Sequence, residues 1–204
     1  MQAALLIGSL LFGAPVEPQA KPVTQVAGRA LKAWTADLDS PNEFVRLRAA
    51  KSLLAFGKPA IPSLVKALGD KNVGVQYWAA SHLGDLQTAP KEAVKMLRQF
   101  ESGKNDALAM VAAYALCQIE KPGDHIKLLM SRLEYPERGM ACCAAEFLGR
   151  LGPKGKPAVA ALEAAYHRNN RKPGEPGKAT ADYHIRGTSQ NALRHILGSW
   201  KPKK

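Results

Sequence analysis

The chain has 204 residues, of which 46% are apolar but only 6% aromatic, and its formal net charge is +12. This length is sufficient for one domain with a continuous core. Three cysteines exclude a disulfide framework. Runs of β-branched and aromatic residues typical of strands are absent, so we expect an all-α protein with no sheet and a core of Ala, Leu and Val.

The first 20 residues are a candidate signal peptide. Ala3 to Phe12 is an apolar run that is too short to cross a bilayer but long enough for the hydrophobic region of a secretory signal. No basic residue precedes the run, and Pro18 lies three residues before the candidate cleavage after Ala20. A wrongly assigned start codon would explain the missing basic residue. We expect export to the periplasm or beyond, with a cytoplasmic protein as the alternative, and a linker at 21–28.

A repeated pattern begins after this linker. Residues 45–69, VRLRAAKSLLAFGKPAIPSLVKALG, return in similar form at 75–99. The apolar residues that mark the first half of each later copy lie at spacings of three and four: Leu108, Ala112-Ala113, Leu116 and Ile119; Met140, Ala144-Ala145, Leu148 and Leu151; Ile185, Leu193 and Ile196. Residues 29–38 match the second half of a copy. A period in the low thirties predicts a solenoid.

Each copy predicts two helices joined by a tight turn. The spacings of three and four describe one apolar helix face. Gly or Pro, as in Gly57-Lys58-Pro59, interrupts this spacing within a copy and predicts the end of one helix and the start of the next. Asp, Asn or Pro separates the copies, and these short polar side chains are predicted to accept hydrogen bonds at a helix start: Asp39-Ser40-Pro41-Asn42, Asp70-Lys71-Asn72, Asn105-Asp106 and Pro136-Glu137. The central Ala pairs allow neighbouring helices to approach closely, so the copies are expected to stack.

The Val-x-x-x-Ala-Ala-x-x-Leu core, the turn Gly and the later Ala-x-x-x-Leu resemble the short bacterial HEAT-like repeats that also occur in phycobilin lyases. The resemblance covers residues 29–198 and implies a right-handed all-α solenoid of about four to five helix pairs. Residues 183–196, YHIRGTSQNALRHI, are similar to HEAT-like tail domains of secreted bacterial sulfatases. The sulfatase catalytic signature is missing, so that similarity implies an exported relative of the appendage.

Positive charge is concentrated towards the C-terminus. Residues 150–204 hold 12 Lys and Arg against three acids, a net of +9, partly in the insertion loop 168–180 and partly in the tail 199–204. Such a basic end suits an anionic partner, whereas a charged outer face on a terminal repeat is the simpler interpretation. The candidate partner-binding residues in this part are Arg168, Arg171, Lys172 and Lys178.

The resemblance also implies that the second helices line the concave surface. Five basic side chains are predicted to point away from the core there: Lys66, Lys95, Arg98, Lys127 and Arg132. They are candidates for a basic groove that binds a partner, and an ordinary solvated face is the alternative. In related repeats the position of Arg46 pairs with an acid of a neighbouring repeat; Arg186 restores that Arg in the last copy, but Gln76 and two alanines replace it between.

Recognisable enzyme motifs are absent from the sequence. None of the five histidines belongs to the His-Glu pairs of HEAT-type iron hydroxylases, and no HExxH, CxxC or Gly-rich phosphate loop occurs. A DNA-glycosylase site would need a grouping such as Trp78, Asp85 and Lys95 or Arg98, and nothing marks a bilin site. Cys117, Cys142 and Cys143 are predicted to be small core residues without a metal.

The sequence therefore predicts a non-catalytic scaffold that needs no cofactor and has no transmembrane span. We expect it to bind another protein through the second helices and the basic C-terminal end. The alternative is a module that binds a polyanion, either a polysaccharide or a nucleic acid. A lyase or DNA glycosylase of the HEAT type is the third hypothesis.

Overall fold

The computed structural model describes residues 23–135, 137–170 and 182–202. The candidate signal segment and positions 171–181 of the insertion lie outside these residues, so export remains a prediction. Ten α-helices follow a short hairpin in the described chain: α1 Leu31–Asp37, α2 Glu43–Leu53, α3 Ile61–Leu68, α4 Val73–Asp85, α5 Lys91–Glu101, α6 Asp106–Ile119, α7 His125–Arg132, α8 Arg138–Arg150, α9 Val159–Arg168 and α10 Tyr183–Leu197.

The helices stack as consecutive pairs, which confirms the predicted all-α solenoid. Four complete pairs (α2–α3, α4–α5, α6–α7 and α8–α9) are flanked by α1, the expected half-copy, and by α10. Helices α2, α4, α6, α8 and α10, here called the first helices, form one layer, in which each packs against the next. Helices α1, α3, α5, α7 and α9, the second helices, form the other layer.

The helix starts and the turn that are described next agree with the sequence prediction. The side chains of Asn42, Asn72 and Asn105 accept hydrogen bonds from backbone N–H groups in the first turns of α2, α4 and α6. Gly57 has φ +65° at the turn between α2 and α3. In the α4–α5 turn the non-glycine Gln87 takes up this left-handed conformation, with φ +54°.

The Ala pairs lie at the centre of the core. Ala49-Ala50, Ala79-Ala80, Ala112-Ala113 and Ala144-Ala145 are completely buried. The leucines three positions later, such as Leu53 and Leu83, are also fully buried. Each such Leu side chain stabilises the stack by about 2 kcal/mol relative to an exposed one.

Two pairs of first helices cross at unusually small residues. A Cβ built on Gly84 of α4 would lie 2.9 Å from the Ala115 Cα of α6, and one built on Gly149 of α8 would lie 2.9 Å from the Ala192 Cα of α10. Gly84 and Gly149 occupy the same position in their repeats, as do Ala115 and Ala192. The α4–α6 and α8–α10 crossings are therefore too close for any larger side chain.

A two-stranded antiparallel sheet precedes α1, so the prediction of no sheet was wrong. Strands β1 (Gln25–Val26) and β2 (Arg29–Ala30) are joined by Ala27 and Gly28, both with positive φ. A two-residue turn of this kind suits a tight hairpin and leaves no long strand for a sequence pattern to reveal. The hairpin falls partly within the expected linker 21–28 and is tied to α1 by a hydrogen bond from Trp34 Nε1 to the Val26 carbonyl, 3.2 Å.

Arg46 makes the predicted tie between repeats. Its side chain is only 5% exposed, and Nε and Nη2 donate to the two carboxylate oxygens of Asp70, at 2.7 and 3.2 Å. Nη1 donates to the carbonyls of Ser40 and Pro41. Burial disfavours the ionised carboxylate, but the hydrogen bonds from Arg46 and the Asn72 backbone, with the positive charges of Arg46 and Lys71, together outweigh it and hold the pKa of Asp70 below its usual range. The residue that keeps this position in the last copy, Arg186, instead donates to Asn170.

None of the helices in the described ranges is both long enough and apolar enough to cross a membrane.

The close α4–α6 crossing provides a test of the packing. Replacing Gly84 by Ala places a methyl group against the backbone of Ala115, and we expect the free energy of unfolding to fall by about 1–3 kcal/mol. Gly187 of α10 is the matched control, because its Cβ position is open and Ala is the better helix former. Gly187→Ala should raise the stability by about 0.5–1 kcal/mol. Urea denaturation measures both, and equal effects would contradict the close crossing.

Candidate interaction surface

Helices α4 and α8 touch each other across α6, although α6 lies between them in the layer of first helices. The ring of Tyr77 on α4 lies 6.3 Å from that of Phe147 on α8, measured between centroids. Nη2 of Arg150, at the end of α8, donates to both carboxylate oxygens of Asp85 on α4, at 2.6 and 2.7 Å. These four residues, Tyr77, Asp85, Phe147 and Arg150, are here called the α4–α8 bridge.

The bridge bears on which side of the solenoid is concave. Packed helices lie about 8–10 Å apart, so helices on either side of a third would be roughly 16–20 Å apart in a flat layer. Long side chains such as those of Tyr77 and Arg150 meet across that distance most readily when the layer bends towards them. Residues 108–118 of α6 are all buried, so the side chains of α4 and α8 help to cover α6. We infer that the first helices line the concave side, whereas the sequence analysis assigned that side to the second helices. The periodicity identified the two helix types but carried no information on the direction of curvature.

Asp85 is the centre of the polar contacts in the bridge. Besides Arg150, it accepts a hydrogen bond from the Tyr114 hydroxyl of α6, at 2.5 Å. The Arg150 guanidinium lies over the Tyr114 ring, 4.5 Å from its centroid. Burial disfavours the ionised form of Asp85, but His82, the Tyr114 hydroxyl and Arg150 together outweigh it and lower its pKa. Burial, followed by the bond to Asp85, raises the pKa of Tyr114 to about 12.

The side chains considered for catalysis do not converge on one site. His82 is 4% exposed, and neither ring nitrogen has a hydrogen-bond partner among the described residues. Its Nδ1 lies 3.9 Å from Asp85 Oδ2, beyond hydrogen-bonding distance. Trp78 packs partly buried beside His82, and Lys51 of α2 lies 5.0 Å from the Trp78 ring centroid. The basic members of the proposed glycosylase grouping, Lys95 and Arg98, are on α5 in the other layer.

Most of the basic candidates on the second helices are paired with acids. The pairs, with their N–O distances, are Lys66–Asp39 at 2.5 Å, Arg98–Glu120 at 2.8 Å, Lys127–Asp124 at 2.6 Å and Arg132–Asp106 at 2.8 Å. Three of these join a second helix to another copy or to an adjacent helix. Lys95 is exposed and makes no ion pair within the described residues. The second helices thus carry a largely neutralised surface rather than a continuous basic groove.

The C-terminal candidates are only partly described. Arg168 pairs with Glu134 at 3.4 Å, whereas Arg171, Lys172 and Lys178 lie outside the described residues. A wide, open cavity of about 560 Å³ lies nearby, lined by Arg194, Gly198, Ser199, Trp200 and Lys201. The Trp200 indole donates to Glu163, at 3.0 Å, which fixes one wall.

The cysteines differ in their environments. Cys117 is completely buried in α6, as predicted, and burial raises the pKa of its thiol to about 12. Cys142 and Cys143 are only half-buried, so the prediction of buried core residues was wrong for them, although Cys143 still packs against the core. Both lie about one helical turn before Glu146 on α8. Within the described ranges, no three His, Cys, Asp or Glu side chains are grouped to hold a metal ion.

The concave surface consists of two patches separated by the α4–α8 bridge. The N-terminal patch is basic and aromatic and contains Lys51 and Trp78. The C-terminal patch is polar and contains Glu146, Thr188, Asn191 and His195. The sequence analysis did not select these residues, apart from Trp78. Thr188, Asn191 and His195 are three, four and seven residues apart, which places them on one polar face of α10. That spacing was the sequence signal that could have identified them.

Residues 31–117 match the sequence family described as HEAT repeats. No curated protein matches the chain. Among solved structures, a designed armadillo repeat protein is 15% identical, with 82% of each chain covered and a TM-score of 0.45. An engineered protein from a structural genomics consortium is 20% identical, with 82% of this chain and 79% of that chain covered and a TM-score of 0.44. The narrower resemblances to phycobilin lyases and sulfatase tails gain no support from these matches.

Replacing Asp85 by Asn tests the bridge. The change leaves Arg150 without its charged partner, and we expect the free energy of unfolding at neutral pH to fall by about 2 kcal/mol. Because the pKa of Asp85 is lower in the folded chain than in the unfolded one, its contribution is present at neutral pH. That contribution is lost as the pH falls below about 4.

The measurement is urea denaturation of the wild type and Asp85→Asn from neutral pH to about pH 3. The stability difference between them should shrink on acidification. Asp39→Asn, which removes an exposed carboxylate paired with Lys66, is the control and should have little effect. A difference that stays constant over the whole range would show that Asp85 is not held ionised by the bridge.

Proposed function

We propose that the protein is a non-catalytic scaffold that binds another protein through the concave surface formed by its first helices. The observation that carries this proposal is the α4–α8 bridge, which joins alternate first helices across α6 and lies between two patches of this surface. Curved solenoids commonly use an extended concave surface of this kind for binding, and residues 31–117 match HEAT repeats.

The distribution of charge supports the same surface. Lys66, Arg98 and Arg132 on the second helices already bond to acids of this chain, so a partner would have to replace those contacts. In the N-terminal patch, Lys51 makes no ion pair with a described residue and instead lies over the Trp78 ring. An ammonium beside an exposed aromatic edge offers both charge and apolar area, a combination typical of interface anchors.

The partner suited to the N-terminal patch carries acidic residues next to an apolar side chain. Lys51 makes no ion pair in the described chain, whereas Arg48, one turn before it on α2, lies 3.7 Å from Asp37 and over the Trp34 ring of α1. Both patches lie on one surface, so a partner that spans them would contact the protein on both sides of the bridge. Such a segment would bury far more area than either patch alone.

Two charge-reversal variants distinguish the two layers of helices. Lys51→Glu changes an exposed lysine of the first helices, and Lys95→Glu is the matched change on a second helix. The full chain, each variant and the wild type are used to capture proteins from a native extract, with washes at low and high salt. We expect Lys51→Glu to lose a stoichiometric partner that the wild type and Lys95→Glu retain. Loss with Lys95→Glu alone would place the interface on the second helices.

A polyanion module is the second candidate, and the cavity at the basic end favours it. Arg194 and Lys201 line this open cavity beside Trp200, so two cations and an aromatic ring face one space. Sulfated or carboxylated polysaccharides and nucleic acids are the ligands with matching charge.

Salt dependence tests the polyanion candidate. Binding of a sulfated polysaccharide to the full chain should weaken steeply with added salt, because binding releases counterions. The double variant Arg194→Gln with Lys201→Gln should weaken it further and lower the salt slope. The charge-matched control is Lys66→Gln with Lys95→Gln. Equal weakening by both pairs would indicate that total charge, not the cavity, determines binding.

A further inference from the structure

The cavity between α8 and α10 has a floor of very small residues. Gly149 and Ala192 cross so closely that a methyl group on Gly149 would lie 2.9 Å from the Ala192 Cα. The longer side chains one turn away on each helix stand around this crossing and enclose about 270 Å³. The walls are formed by Glu146, Arg150, Thr188, Asn191 and His195. The hollow is thus a direct consequence of the close crossing.

The α4–α8 bridge leaves a negative charge in this cavity. Glu146 and Arg150 are four residues apart on α8, a spacing at which an acid and a base usually pair. Here Arg150 is drawn across α6 to Asp85, with N–O distances of 2.6 and 2.7 Å. Glu146 consequently makes no ion pair with any residue in the described ranges. Since Asp85 compensates Arg150, the three groups together carry one net negative charge.

The other polar wall residues provide hydrogen-bond acceptors. The Thr188 hydroxyl donates to the carbonyls of His184 and Ile185, at 2.9 and 3.1 Å, so its oxygen keeps lone pairs for an incoming donor. Asn191 is exposed and offers a carboxamide oxygen. Together with the Glu146 carboxylate, these oxygens suit a ligand that carries several N–H donors.

We propose that the α8–α10 cavity is an anchor site for one lysine or arginine side chain of the partner protein. The cavity is slightly smaller than the roughly 300–1,000 Å³ of sites for drug-sized ligands, which suits a single side chain. The aliphatic stem lies over Gly149 and Ala192, and the charged head bonds to Glu146. A carboxylate is disfavoured because Glu146 repels it. The proposal rests on the scaffold function and adds the chemistry of one contact.

The two patches then select opposite charges. The N-terminal patch, with Lys51, favours acidic residues, whereas the α8–α10 cavity favours a basic one. The occupant is therefore a segment whose charge changes sign along its length. Charge complementarity of this kind fixes the direction in which a segment binds and rejects partners of uniform charge.

The test uses small probes that isolate the cavity from the rest of the interface. Nα-acetyl-lysine methylamide is titrated into the isotope-labelled full chain, and backbone amide shifts are recorded by NMR. The norleucine analogue, which has a similar stem but no charge, is the matched neutral probe. Shifts should be confined mainly to α8 and α10, should saturate with the lysine probe and should be much smaller with norleucine.

The variant Glu146→Gln should weaken lysine-probe binding at least about fivefold, which corresponds to roughly 1 kcal/mol for a partly exposed ion pair. Glu92→Gln, which alters an exposed carboxylate on α5, should leave it unchanged. Equal binding of norleucine, no effect of Glu146→Gln, or no shift in α8 and α10 would each overturn the anchor site. If the full chain then still captured a partner, and Lys51→Glu still abolished that capture, the scaffold proposal would stand without the anchor site.

Discussion

The hydrogen-bonded ion pair between Arg150 and Asp85 is the constraint on which the shape of the described solenoid depends. It joins the first helices of alternate repeats and closes over α6, whose buried Tyr114 donates a third hydrogen bond to the same carboxylate. Desolvation opposes each of these charges, and their mutual contacts offset that cost. Removing one partner would leave the other without compensation. The bridge therefore links the curvature that we infer for the first helices to the stability of the repeats.

In the proposed scaffold, the same interaction determines which surface is available to a partner. It divides the concave side into a basic, aromatic patch at α2 and α4 and a polar patch at α8 and α10. It also withdraws Arg150 from its helical neighbour Glu146, which leaves that carboxylate facing the α8–α10 cavity. The second helices, in contrast, use Arg98 and Arg132 to tie adjacent helices together. The ion pairs of the second helices thus stabilise the stack, whereas the first helices carry the groups that the proposed partner would bind.

Close and wide crossings alternate along the first helices because equivalent positions carry residues of different size. Gly84 faces Ala115, and Gly149 faces Ala192, whereas the corresponding positions at the α6–α8 crossing are Cys117 and Phe147. The larger residues keep α6 and α8 further apart, and Phe147 stacks on Tyr114 with centroids 5.0 Å apart. This spacing gives Arg150 room to reach Asp85. The cavity at Gly149 and the bridge at Phe147 are two results of one size pattern.

The sequence alone determined the helices, their pairing and the core, because the Ala pairs, the turn glycines and the Asn caps act within one or two turns of the chain. The resemblance to related repeats also predicted the Arg46 tie, since in those repeats this Arg pairs with an acid of a neighbouring copy. Only the tertiary structure decided the curvature, because Asp85 and Arg150 are 65 residues apart and neither belongs to the repeated pattern. It likewise decided that Glu146 makes no ion pair in the described chain. From the sequence alone, Glu146 would be expected to pair with Arg150, four residues later on the same helix. Contacts between repeats that are not adjacent have no periodic pattern in the sequence, so only the stacked structure reveals them.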